Sequence, residues 1–204
     1  MISVLCVDDH PVVRDGIALM LDGHPGLRLV ATASSGHEAI ARFQEFKPDL
    51  TLMDLRLLDR HGSDFIAEIR TRSTHACIVA LTTYPGDVQA ARALKAGAMG
   101  FLLKSTLRLD LIDTIQAVQS GQRRICPEVA ACMSEHITPD SLTEREIEVL
   151  RGVSTGTGNR GIAAQLGLSE ETVRGHLKIV FQKLRANDRT HAVVIAAKRG
   201  FLTI

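Results

Sequence analysis

Apolar residues along this chain follow two patterns. Up to about residue 120, short aliphatic runs alternate with stretches of helical spacing. Residues 2–7, ISVLCV, form the first run and end at Asp8 and Asp9. A run of that length, rich in β-branched side chains, reads as a strand buried on both faces. Val12, Val13, Ile17 and Leu21 then recur with a helical period over residues 11–22. The alternation repeats. Strands are predicted at 27–33, 50–53, 77–81 and 100–103, and helices at 35–46, 63–71, 85–96 and 107–120. Lys47-Pro48 breaks one helix and Gly97 and Gly121 stop two others. From Ser141 onward the spacing is helical throughout. Helices are expected at 143–153, with a Thr143/Glu146 capping box, at 159–166, at 169–184 behind Ser169, and at 189–199. Residues 121–140 hold two prolines and no clear strand, and read as a linker with a short helix from Pro127 to His136.

Five strand-helix alternations in about 120 residues predict an α/β domain with a doubly wound, five-stranded parallel sheet. The predicted architecture is therefore α/β at 1–120, a linker at 121–140, and an all-α module at 141–204. In such sheets the functional groups collect at the carboxyl ends of the strands. Here those ends carry Asp8 and Asp9, Asp54, Thr82 and Lys104. Single acids at strand ends are commonplace; three acids, a threonine and a lysine from four strands on one rim are not. Three carboxylates repel one another unless a cation lies between them, and a hard divalent ion, Mg²⁺ above all, suits such oxygen ligands. A metal, an ammonium and a carboxylate nucleophile together suit phosphoryl transfer.

Net charge separates the two halves. Residues 1–120 carry 12 Lys and Arg against 14 Asp and Glu, whereas residues 141–204 carry 10 against 6. A basic tail on an acidic body points to a polyanion partner for the tail. The tail's layout of helix, short turn and capped second helix is that of a helix-turn-helix. On SEETVRGHLKIVFQKL, residues 169–184, the apolar stripe is Val173, Leu177, Val180 and Leu184. Arg174 and Lys178 lie off it, one turn apart on a shared face. Gly156-Thr157-Gly158-Asn159-Arg160-Gly161 spells a dinucleotide-type G-x-G-x-x-G, but a helix precedes it where that site needs a strand. It reads as a turn. His176 has no nucleophile near it in the sequence, so a contact or packing role is expected of it rather than catalysis. Four scattered cysteines, Cys6, Cys77, Cys126 and Cys132, read as reduced thiols of a cytoplasmic protein. The opening MISVLCVDDH lacks a basic leader followed by a long apolar stretch, so no signal peptide is expected, and no apolar run approaches membrane length.

The motifs VDDHPVVRDG, LMDLRLLDRHG, ALTTY and KAGAMGFLLKS resemble the receiver domain (CheY-like) of two-component response regulators. The resemblance implies that Asp54 accepts a phosphoryl group from a sensor histidine kinase. It implies that Asp9 and Asp54 bind Mg²⁺ with the backbone carbonyl of Arg56, that Asp8 assists through water, and that Thr82 and Lys104 hold phosphoryl oxygens. Thr82 and Phe101 take the switch positions. The chain departs from the family at Leu57-Leu58-Asp59, where Met-Pro-Gly is common, which places a further acid, Asp59, close to the metal loop. It departs again at Ser105, where many receivers have a cis-proline.

LTEREIEVL, NRGIAAQLGLSEETVRGHLKIVFQKL and RTHAVVIAAKRGF resemble the LuxR/NarL-type DNA-binding domain. That likeness implies that Arg174, Gly175 and Lys178 face the major groove. It assigns Thr172, His176, Lys183, Asn159 and Arg160 to phosphate or sugar, and dimerisation on DNA to the last helix. The combined expectation is a phosphorylation-controlled DNA-binding transcriptional regulator, a homodimer when phosphorylated, with no membrane partner. It is not expected to be an enzyme. A phosphohydrolase using an aspartyl-phosphate often has a second acid two residues after its nucleophile, and Arg56 stands there.

Overall fold

The computed structural model describes residues 1–84, 86–135 and 142–202. The chain divides into two compact units: Met1–Pro85 with Gln89–Ala131, and Cys132–Ile204 with Gly86–Val88.

The first unit is built on a fully parallel sheet in the order β2-β1-β3-β4-β5-β6. Its strands are β1 (Ile2–Val7), β2 (Leu27–Ala33), β3 (Leu50–Asp54), β4 (Cys77–Thr82), β5 (Gly100–Leu103) and β6 (Arg124–Ile125). The helices α1 (Pro11–Asp22), α2 (Gly36–Phe46), α3 (Gly62–Arg72), α4 (Asp87–Ala96) and α5 (Leu107–Gln119) alternate with the first five strands, and α6 (Pro127–Glu135) follows β6. Buried parallel strands need apolar residues on both faces, and β3 and the last four residues of β1 are buried throughout. One core cluster joins Val4, Cys6, Leu50, Leu52, Val79, Leu81 and Leu102 of the sheet to Ile17 and Leu21 of α1 and Leu111, Ile115 and Val118 of α5. Each such side chain contributes about 1.5–3 kcal/mol. Phe65 of α3 is fully buried and lies so close to Gly36 that a Cβ there would sit 1.8 Å from the ring.

The sheet has six strands, not the five expected, and β6 falls in the stretch expected to be linker. Two residues give no periodicity to read. Arg124 and Ile125 pair with Gly100 and Phe101 because β5 would otherwise leave an open edge. The expected start of α4 at Pro85 and the expected end of α6 at His136 lie outside the described residues; the helices are described from Asp87 and to Glu135.

The second unit contains α7 (Glu144–Ser154), α8 (Asn159–Leu166), α9 (Glu170–Leu184) and α10 (Arg189–Arg199). The expected capping box is formed: the Thr143 side chain accepts from the Glu146 N–H at 3.3 Å, and the Glu146 carboxylate accepts from the Thr143 N–H at 2.7 Å. Ser169 caps α9 by accepting from the Thr172 N–H at 3.0 Å, and Asp188 caps α10 at 2.8 Å from the His191 N–H. Val149, Leu150, Ile162, Val173, Leu177, Val180, Leu184 and Ala192 form its core. The G-x-G-x-x-G stretch follows a helix, as expected. Gly156 has φ +78° there, a conformation that L side chains rarely adopt.

Candidate functional site

Register brings the predicted rim together. Val7 pairs with Met53, Asp54 with Leu81, and Thr82 with Leu103, so β1, β3, β4 and β5 end side by side. Asp8 is fully buried and Asp54 is 1% exposed. Lys104, at the start of a short 3-10 turn (Lys104–Thr106), places its ammonium 2.7 Å from Asp8 Oδ2 and 2.8 Å from Asp54 Oδ2. Asp54 Oδ1 accepts the Arg56 N–H at 3.1 Å. Burial drives the Asp54 carboxyl up to about 6, against the opposing pull of Lys104 and with Asp8 adding repulsion. Burial alone would lower the Lys104 ammonium, but the Asp54 and Asp8 carboxylates outweigh it and raise the pKa. One ammonium between two buried acids leaves their charge only partly balanced. Asp8 Oδ2 and Asp9 Oδ1 are buried; the first faces the Lys104 ammonium and the second lies 2.6 Å from His10 Nδ1.

Donor atoms of Asp8, Asp9, His10 and Asp54 all lie within 4.8 Å of one another, so these residues could hold a metal ion. His10 was not foreseen. Its only sequence signal is adjacency to the Asp8-Asp9 pair at the head of α1. The Asp8 carboxylate accepts the His10 N–H at 2.9 Å, which fixes the turn, and Arg14 donates to the Asp8 carbonyl at 2.6 Å.

Asp59 does not join this cluster. Its carboxylate accepts from the Gly36 and His37 N–H groups at 3.2 and 3.1 Å and lies 2.8 Å from His37 Nδ1. It caps the amino end of α2 from another loop. Burial works against its charge, but bonds from His37 and Gly36 more than compensate and lower its pKa. The expected extra negative charge beside the metal loop is thus committed elsewhere. That loop closes tightly: Gly62 N–H donates to the Leu55 carbonyl, and a Cβ at Gly62 would sit 2.0 Å from the Asp54 carbonyl oxygen.

Thr82 is buried, with its hydroxyl 3.1 Å from the Tyr84 carbonyl and 3.3 Å from Gln89 Oε1. It makes no hydrogen bond to Asp54 or Lys104 among the described residues. Phe101 is fully buried. The Arg56 guanidinium lies 5.8 Å from the centre of the Tyr84 ring.

In the second unit, Asn159, Arg174 and Lys178 line one hollow of about 510 Å³ with Leu177, Phe181, Gln182 and Ala186. Arg174, Gly175, Lys178, Thr172 and Arg160 are exposed; His176 and Asn159 are half-buried. Arg174 makes an exposed ion pair with Glu170 at 3.1 Å, worth well under about 1 kcal/mol and easily exchanged for another anion. Lys183 departs from expectation. Its ammonium lies 2.8 and 3.0 Å from the two carboxylate oxygens of buried Glu146, tying α9 to the capping box of α7. Position 183 is one turn and a half beyond Lys178, which carries its side chain round to the core side.

Comparison with known proteins agrees with both halves. Residues 4–116 match the response regulator receiver domain family, and residues 140–196 match the bacterial regulatory proteins of the luxR family. The transcriptional regulatory protein YdfI of Bacillus subtilis is 35% identical, over 100% of this chain and 99% of its own. The response regulator protein VraR of Staphylococcus aureus is 34% identical over 98% and 99%. The crystal structure of the response regulator ChrA, of a heme-sensing two-component system, covers 98% of both chains at 32% identity and a TM-score of 0.58. No helix among the described residues is long and apolar enough to cross a membrane. With relatives of this identity aligned end to end, the chain belongs to the two-component response regulators that couple a receiver domain to a LuxR-type DNA-binding domain.

Proposed function

We propose that Asp54 is the phosphoacceptor of this regulator, taking its phosphoryl group from a sensor histidine kinase. The observation that carries the reading is the Lys104 ammonium shared between buried Asp8 and Asp54, with Asp9 beside them in one cluster of acids. Asp8, Asp9, Asp54 and the Arg56 carbonyl would hold Mg²⁺, for which all-oxygen ligands are apt. When bound, that ion supplies positive charge against the phosphoryl oxygens. Lys104 neutralises another phosphoryl oxygen, and the Asp54 carboxylate is the nucleophile. Thr82 exchanges its bonds to Tyr84 and Gln89 for one to the new phosphoryl group. That exchange, with repacking around Phe101, shifts the receiver between two states.

Residues 1–120 act as the receiver and 141–204 as the DNA-binding domain, joined by 121–140. Helix α9 enters the major groove with Arg174, Gly175 and Lys178 toward the bases, while Thr172, His176, Asn159 and Arg160 meet phosphate or sugar. Lys183 is left out of that set because Glu146 already holds it. Phosphorylated protein binds two half-sites as a homodimer. The protein works in the cytoplasm, where kinase output and DNA meet.

The test is size and duplex-DNA affinity of the full chain with and without beryllium fluoride and Mg²⁺, alongside Asp54→Asn. Conversion to dimer with tighter binding, lost in the variant, supports the reading. An unchanged size and affinity with the mimic demonstrably bound refutes control through Asp54.

A further inference from the structure

We propose that Glu171 reads a base edge in the major groove and selects cytosine there, so that it sets one position of the operator. The inference rests on the placement of α9 in that groove and adds a specificity residue to it. On a helix of about 3.6 residues per turn, the point opposite the buried stripe of Val173, Leu177, Val180 and Leu184 falls among Glu171, Gly175, Lys178 and Gln182. All four are exposed. Glu171 therefore stands on the most outward line of α9 and in its first turn, where recognition helices contact bases. Its neighbour Glu170 is engaged with Arg174, 3.1 Å away. The Glu171 carboxylate makes no ion pair and no side-chain hydrogen bond among the described residues. One turn on, Gly175 carries no side chain, and even a Cβ there would meet nothing within 4 Å, so the approach to the carboxylate is open.

Phosphates repel a carboxylate, so an unpaired acid on this line is a liability unless a base receives it. The helix dipole favours acids in the first turn, but it does not distinguish the outward position of Glu171 from the flank that Glu170 occupies. Chemistry then narrows the base. An ionised carboxylate only accepts hydrogen bonds. In the major groove guanine presents two acceptors, N7 and O6, and thymine presents the O4 acceptor and a methyl group. Adenine offers its N6 donor, but the N7 acceptor beside it repels a carboxylate. Cytosine offers the N4 amino group with no acceptor of its own beside it. The guanine across that pair presents O6 and N7 to a cation, and Arg174 lies three residues on from Glu171, within one turn. One C·G pair thus satisfies the acid and a cation of α9 together.

The experiment is selection from a library of randomised DNA duplexes by the full chain with beryllium fluoride and Mg²⁺, with Glu171→Ala and Glu171→Gln selected in parallel. The natural chain should prefer cytosine at one position of each half-site by about fivefold or more. Glu171→Ala should lose that preference alone, and should bind unselected duplex at least as tightly because a charge that repels phosphate is gone. Glu171→Gln should move the preference from cytosine to adenine, the base that a glutamine amide pairs with. The same selected sequence in all three proteins, or a selected site without that cytosine, overturns the Glu171 assignment and leaves α9 in the groove. Retention of no duplex by the natural chain, or selection that Arg174→Ala and Lys178→Ala together leave unchanged, overturns both.

Discussion

Replacing Lys183 with alanine separates a structural role from a DNA-contact role. In the folded protein Glu146 is 4% exposed and holds two groups: the Lys183 ammonium at 2.8 and 3.0 Å and the Thr143 N–H at 2.7 Å. Burial opposes the Glu146 charge, but Lys183 and Thr143 prevail and keep its pKa below the ordinary 4.5. Removing the ammonium leaves a nearly buried carboxylate with the backbone bond alone. Breaking a fully buried pair costs about 3–5 kcal/mol. Lys183 is 24% exposed, so water screens part of the loss, and about 2 kcal/mol is expected. A folded-state pKa held below the unfolded value contributes stability above that value, and the contribution is lost as the pH falls through the folded pKa. The gap between natural protein and Lys183→Ala should therefore be full near pH 7 and close as the pH drops below 4.5. Urea unfolding of the full chain, followed by signals from the second unit, measures it. The companion assay is binding to random duplex DNA across a salt series. Each lost phosphate contact lowers the slope of log affinity against log salt by about 0.9, and here the slope should not change. A variant that keeps its stability within about 0.5 kcal/mol and loses one contact's worth of slope would refute the structural assignment.

Asp59→Ala should cost about 1 kcal/mol by uncapping α2, with divalent-ion affinity unchanged; a change in metal binding would mean that Asp59 belongs to the acidic site after all. Asp54→Asn should stabilise the metal-free fold at neutral pH by up to about 3 kcal/mol. The sign follows from the raised folded-state pKa: between about 4 and 6 the unfolded chain ionises first, so natural stability falls as the pH rises. Urea midpoints at pH 4.5 and 7.5 in a chelating buffer test this, and equal effects at both would contradict it. Gly36→Ala forces a methyl into the Phe65 ring and should lower stability by about 1–3 kcal/mol. Gly175→Ala meets nothing within 4 Å and should raise it by about 0.5–1 kcal/mol, both read from denaturant midpoints.

The sequence by itself determined the elements and the order of their chemistry. Parallel strands must be apolar on both faces, so β1, β2, β3, β4 and β5 stand out as runs, and strand ends name Asp8, Asp9, Asp54, Thr82 and Lys104 without coordinates. Local capping was equally legible, because Ser35, Thr143 and Ser169 act on residues three positions away. What only the tertiary structure decided are contacts between distant segments. The edge strand β6 exists because β5 offers a free backbone, not because Arg124 and Ile125 announce it. Asp59 reaches across 23 residues to α2, and Lys183 across 37 to Glu146, so each charge that looked available for a ligand already had a partner. His10 is the converse case: unremarkable as a residue type, it gains meaning only when β1 and β3 end in register and set its nitrogen among three carboxylates. A side chain's type and helical phase can be read from the chain, but its partner is fixed by packing, and packing is a property of the whole fold.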